Sequence, residues 1–220
     1  LIDKKEFACH EHLNNTPLHL LEDRKVLEKL VDSFLSEYPD DLLKRLSNKC
    51  KSNDKNKDIF TKLLTNNHAT FAMKEMSKKR RDDLDFVLNI LQIYKDRKES
   101  SGYMYDELTP RLKNLKKVAL LATQTGSRPC YLPEKLKTDI DIFKAYIKHQ
   151  NQLAKNNKEK PHYYDLGEFK FKKMALDLNY IAKVLQKDPD QYKHICLHHN
   201  NLKQFAWVAL THDVRSYKYL

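Results

Sequence analysis

His194 and His198 stand one helical turn apart with His199 beside them, and Cys9-His10-Glu11-His12 gathers four possible ligands in one short segment. Imidazole, thiolate and carboxylate groups are the donors that hold zinc and related metals. A closed structural zinc site takes four ligands, however, and no second spaced group supplies partners for either set. Partly exposed histidines on helices are the plainer reading. HExxH is absent, and no metal or cofactor is expected.

The four cysteines, Cys9, Cys50, Cys130 and Cys196, are far apart and form no CxxC pair. That spacing favours reduced thiols in a cytosol-like compartment over a disulfide framework. Cys130 and Cys196 fall in short helices, where a thiol acts as a small apolar side chain. Asp40-Asp41 and Asp82-Asp83 are paired carboxylates of the kind that can exchange protons, but both stand at expected helix starts, where capping explains them. No GxGxxG, phosphate loop or GxSxG elbow occurs. No catalytic residue is assigned, and the reading leans away from an enzyme.

Charge offers a different chemistry. Lys and Arg total 41 against 30 Asp and Glu, a net charge of +11, which attracts nucleic acid, anionic lipid or an acidic protein patch. The densest cluster is Lys78-Lys79-Arg80-Arg81, with weaker groups at Lys113/Lys116/Lys117, Lys155/Lys158/Lys160 and Lys170/Lys172/Lys173. Structurally, Lys78 to Arg81 would close a helix over residues 68–77, where cations favour the dipole, with Asp82, Asp83 and Asp85 partly neutralising them. The run His162-Tyr163-Tyr164, followed by Phe169 and Phe171, reads as a connector packed on its neighbours or as an exposed aromatic contact surface. The candidate binding residues are therefore Lys78, Lys79, Arg80, Arg81, Tyr163, Tyr164, Lys170, Lys172 and Lys173. Helical repeats that read bases need a regular period and repeated side chains at the reading positions, and neither is present.

These groups must be positioned by helices. An apolar–x–x–apolar–x–x–apolar–apolar signature recurs at Leu84/Val87/Ile90/Leu91, Leu115/Val118/Leu121/Ala122, Ile140/Phe143/Tyr146/Ile147, Leu178/Ile181/Val184/Leu185 and Leu202/Phe205/Val208/Ala209. At about 100° per residue these positions make one buried stripe. Leu27/Leu30/Val31 and Phe60/Leu63/Leu64 keep the last three points, with Arg24 and Lys57 at the first. The copies start at positions 84, 115, 140, 178 and 202, and their shorter intervals imply a basic unit of about 25 residues, lengthened by insertions in two units. Units this short bury their stripes only against neighbours.

Turn signals complete the unit. Asp188-Pro189-Asp190-Gln191 fits a capping box, Tyr38-Pro39-Asp40-Asp41 and Leu132-Pro133-Glu134 fit helix starts, and Asp139, Asp82-Asp83, Asn114 and Asn201 precede stripes as caps. The unit reads helix, turn, short helix, turn. With 3 Gly and 7 Pro in 220 residues, long irregular loops are scarce, and no alternating run bounded by hairpin turns appears. The expected fold is all-α, a right-handed-type helical-repeat solenoid of six or seven helix-turn-helix units without a sheet. An N-terminal arm over 1–20 precedes a repeat domain over 21–220, with insertions near 95–102 and 151–160. Both ends read as truncated. No stretch is apolar enough to span a bilayer and no signal peptide is evident, so a soluble protein is expected.

The segments from Leu115 through VALLATQTGSRPCYLPEKLKTD to Ile140, and from Lys203 to Leu220, resemble the tandem helix-pair repeats of unknown function found in secreted effectors of Legionella and related intracellular bacteria. The matching features are the Val118-Ala119-Leu120-Leu121 helix, the turn at Gly126, the Tyr131 to Leu136 short helix and the Lys137-Thr138-Asp139 junction. Coverage runs over residues 57–220, with a weaker fit at 24–50. The two insertions depart from the pattern, as does Asp188-Pro189 in place of Asn-Gly. The resemblance implies a bacterial effector with a virulence role, delivered into the cytoplasm of a eukaryotic host cell, and it transfers no catalytic residue. The expected function is protein–protein interaction with a host or bacterial partner. The alternative is a basic surface that docks on nucleic acid or anionic membrane.

Overall fold

The structure, a computed structural model, describes residues 16–34, 39–65, 69–157, 166–169 and 178–189. The described residues form helices joined by turns, with no strand among them. The chain divides into two compact units, residues 1–127 and 128–220.

In the first unit the order is α1 (Leu18–Leu21), α2 (Arg24–Phe34), α3 (Pro39–Arg45), α4 (Asn48–Ser52), α5 (Lys57–Thr65), α6 (Lys78–Arg81), α7 (Leu84–Arg97), α8 (Pro110–Lys113) and α9 (Lys116–Gln124). Short 3-10 helices cover Asp54–Asn56, Ala69–Glu75 and Met104–Glu107. The longer helices α2, α5, α7 and α9 pack each on the next. A second row runs from α3 to Ala69–Glu75 to Met104–Glu107. The first helix, α1, starts inside the segment read as an arm and buries Leu21.

The spacing of the long helices is wider than the basic unit expected from the stripes. Helices α2, α5, α7 and α9 begin at positions 24, 57, 84 and 116, and every step between them exceeds that unit. The reason is an extra element. Each long helix is preceded by a one-turn helix, and a further short element follows α2, α5 and α7, so two short elements, or three before α5, separate successive stripes where the sequence pattern predicts one.

The stripes themselves are deeply buried. Val87, Ile90 and Leu91 of α7 are fully buried, as are Leu27, Val31, Phe60 and Leu64. The first stripe position is not: Arg24, Lys57, Leu84, Leu115 and Ile140 are all half-buried. It lies at the mouth of each long helix, where a cation is as acceptable as leucine. Arg24 uses that position to form a double hydrogen bond with Asp58, at 2.7 and 3.2 Å. In α9 the buried set is Val118, Ala119, Ala122 and Thr123, with Leu121 only half-buried. The stripe there is turned by one position, because Thr123 satisfies its hydroxyl on the Ala119 carbonyl and can enter the core.

Several ends form as expected. Asp83 accepts the Phe86 N–H at 3.0 Å and starts α7. Asp40 and Asp41 occupy the first turn of α3 and both pair with Lys44. Others depart. Asn114 does not cap α9; its amide turns back to the Pro110 carbonyl, and Leu115 takes the cap position without a side-chain bond. Lys78 to Arg81 do not end a longer helix but form α6, capped by Ser77. The region read as insertion at 95–102 holds the end of α7, a left-handed Lys98 with φ 57°, and a fully buried Ser101.

In the second unit, 3-10 turns at Pro129–Tyr131 and Leu136–Thr138 lead into α10 (Ile140–Asn157), then a 3-10 turn at Leu166–Glu168 and α11 (Leu178–Lys187). The helix expected from Pro133 begins only at Leu136. Asp139 caps α10 by accepting the Asp141 and Ile142 N–H groups. Phe143 sits edge-on to Phe169 and Tyr180, with centroids 5.2 and 5.9 Å away. Phe169, from the aromatic run, is thus core. Residues 151–157 continue α10, and Asn151 accepts from Lys187 of α11.

Candidate functional site

One set of polar contacts in the first unit links the ends of successive one-turn helices. Their sequence separation is recurrent. Glu22 accepts the Ser47 N–H at 2.7 Å, Ser52 and Ser77 share a hydrogen bond of 2.9 Å, and Asp82 accepts the Thr109 hydroxyl. In each pair a residue at the end of a one-turn helix meets the residue just before the next one. Bases at the helix ends extend the pattern. Lys51 donates to the Glu75 carbonyl at 2.8 Å and Arg81 to that of Glu107 at 3.3 Å, each reaching the end of the short element that follows. Burial disfavours the Lys51 ammonium and lowers its pKa from the usual lysine value.

Arg80 is the centre of one junction and has no solvent exposure. Its Nε donates to the Lys51 carbonyl at 3.2 Å and its Nη2 to the Asn53 carbonyl at 2.7 Å. Nη1 lies 3.0 Å from both Asp83 and Asp54, and the guanidinium rests over the Phe86 ring. A buried guanidinium needs this full set of partners, because its desolvation otherwise goes uncompensated. Burial works against the Asp83 carboxylate, yet the Phe86 N–H, Lys57 and Arg80 together hold its pKa below the ordinary aspartate value. Lys79 lies 3.1 Å from Asp54 and lowers that carboxyl in the same way.

The predicted basic cluster is therefore divided. Lys78 and Lys79 are exposed, Arg81 is half-buried, and Arg80 faces inward. Arg80 does not present its charge to a partner. Four consecutive cations on a one-turn helix point around its whole circumference, so one must enter the core. The same reasoning, with Asp83 three residues on, was available in the sequence. Tyr163, Tyr164, Lys170, Lys172 and Lys173 lie outside the described residues, as do Cys9 to His12, His194, His198 and His199. Among the described residues no group of three or more His, Cys, Asp or Glu side chains is placed to hold a metal, and no helix is long and apolar enough to cross a membrane.

Beside the Arg80 junction lies an open groove of about 610 Å³, lined by Arg24, Asp54, Lys55, Lys57, Asp58 and Asn89. It is built from the starts of α2 and α5, the 3-10 turn before α5, and the exposed side of α7. Arg24 and Asp58 close one wall, and Lys57 is anchored to Asp83 at 3.0 Å. Sequence reasoning missed this groove. The replacement of an apolar first stripe position by Arg24 and Lys57 placed two cations at successive helix mouths, but their meeting with Asn89 comes from helix stacking.

No protein-family model, curated protein or solved structure gives a significant match to the chain.

Proposed function

We propose that this chain is a helical-repeat module, a solenoid of stacked units, that binds another protein along the edge formed by its helix junctions. The observation that carries the reading is the charged groove at that edge, built by residues from α2, α5 and α7 together. Each unit adds the same kind of junction beside the last, and such arrays supply extended binding surfaces. The resemblance to effector repeats implies a partner in a eukaryotic host cell or in the source bacterium.

The alternative, docking on nucleic acid or anionic membrane, draws on Lys78 to Arg81 and on Lys170 to Lys173, the second cluster lying outside the described residues. Arg80 is consumed by the Lys51, Asn53 and Asp83 contacts, and Lys79 by Asp54. That leaves Lys78 as the exposed cation of the four without a hydrogen bond or ion pair among the described residues, which weakens the electrostatic case at that cluster.

Affinity capture from host and bacterial lysates at low and moderately high salt tests the proposal, with RNA and anionic liposomes assayed in parallel. Protein recognition predicts a defined protein partner whose binding falls only modestly at the higher salt, as one or two exposed charge pairs are screened. Binding confined to RNA or liposomes, and lost as salt rises, would overturn it.

A further inference from the structure

Of the six side chains lining the groove, three are cations and two are carboxylates. Both carboxylates are already engaged, Asp58 by Arg24 and Asp54 by Lys79 and Arg80. Lys57 is likewise held by Asp83. Among the described residues the Lys55 ammonium and the Asn89 carboxamide have no side-chain partner, and both are exposed. The charge left over in the groove is therefore positive and sits at Lys55.

Asn89 adds a second requirement. A carboxamide offers one acceptor and a paired donor, the same complement as a peptide bond. It can hold an extended main chain that has no partner of its own. The lining contains no aromatic ring on which a nucleotide base could stack, as single-stranded binding requires. It contains no apolar side chain to insert beneath lipid headgroups.

From these features we infer that the groove takes an extended acidic peptide segment of the partner protein, with Asn89 bonding its main chain and Lys55 pairing an Asp or Glu side chain. The inference rests on the protein-interaction reading and names the chemistry of the partner. Arg24 and Lys57 border the same track and can exchange their intramolecular carboxylates for those of the peptide.

The test is selection of short peptides from a random displayed library on the full 220-residue chain, followed by affinity measurement on the protein and on Lys55→Glu and Asn89→Ala. Neither residue contributes to the core, and circular dichroism verifies that both variants keep the helical fold. Enrichment of Asp and Glu is expected, with affinity reduced by about tenfold in Lys55→Glu and several-fold in Asn89→Ala. Replacing Glu by Gln in the best peptide should weaken it comparably. Failure to enrich any peptide, a neutral or basic consensus, or acidic peptides that bind both variants as well as the parent would each overturn the inference. So would oligouridine or phosphatidylserine vesicles binding through Lys55 in place of peptide. If lysate capture still yields a salt-resistant partner equally with both variants, the groove inference fails while the interaction reading stands.

Discussion

Arg80 Nε donates to the carbonyl oxygen of Lys51, 29 residues earlier in the chain, at 3.2 Å. The bond joins one helix junction to the one before it and leaves Arg80 fully buried. Arg80→Met should therefore destabilise the first unit by about 3 kcal/mol, since Asp83 and the Lys51 and Asn53 carbonyls each lose one bond at a buried junction. Lys78→Ala, two residues away and exposed, should stay within about 0.5 kcal/mol. Urea titration of both variants checks the contrast, and equal effects would show that the cluster acts as one surface patch.

The residues that start the one-turn helices form a second set of links. Ser47 accepts the Cys50 N–H at 3.1 Å, and Ser77 meets both the Arg80 N–H and Ser52. Ser77→Ala should cost about 1 kcal/mol through loss of the cap and of its cross-junction bond. If the two bonds matter separately, a Ser52→Ala/Ser77→Ala double-mutant cycle should give a coupling energy on the order of 0.5 kcal/mol.

At the mouths of the long helices, substitution should be tolerated in proportion to exposure. Arg24→Leu removes an exposed ion pair with Asp58 and should change stability by no more than about 1 kcal/mol. Leu91→Ala, deep in the stripe of α7, should cost about 2 to 5 kcal/mol. Thermal melts of the pair separate the rim from the core, and a large loss for Arg24→Leu would contradict the assignment.

The all-helical fold was legible because three of the four stripe positions are buried wherever they are described in α2, α5 and α7. The capping role of Asp83 was equally plain. The unit length was not, since the extra short elements Ala69–Glu75 and Met104–Glu107 are too brief to show a period. Asn114 and Leu115 illustrate a competition that sequence alone does not decide: the Asn amide satisfies the preceding helix, leaving the next one uncapped. The groove was hidden for another reason. It joins Arg24, Lys57 and Asn89, whose proximity comes from stacking, and no local pattern encodes that.

Stability should fall at both ends of the pH range. Asp82 is held below the ordinary aspartate value of 3.8 first by the Thr109 hydroxyl and then by Arg111, with burial opposing, and Asp83 is lowered as described. A carboxyl with a lowered folded-state pKa stabilises in full above the unfolded value and loses that contribution as pH falls through the folded one. Acid loss should begin near pH 3.8 and continue below it. Burial pushes the Tyr94 phenol up to about 12, and its hydroxyl donates to the Leu64 carbonyl at 2.7 Å. Its stabilisation is complete below the ordinary value of 10.0 and is lost as pH rises from there towards 12. Denaturant midpoints against pH should show both limbs, with the alkaline one shallower in Tyr94→Phe. Burial raises Tyr105 as well, so part of that limb should remain.

The most direct measurement is quantitative capture from host and bacterial lysates at low salt, comparing the parent chain with a Lys55→Glu/Asn89→Ala double variant. The account predicts a defined protein partner on the parent and its loss from the variant, with both proteins equally folded. Recovery of the same partner by both, or recovery of nucleic acid alone, would contradict a protein-binding site at the helix junctions.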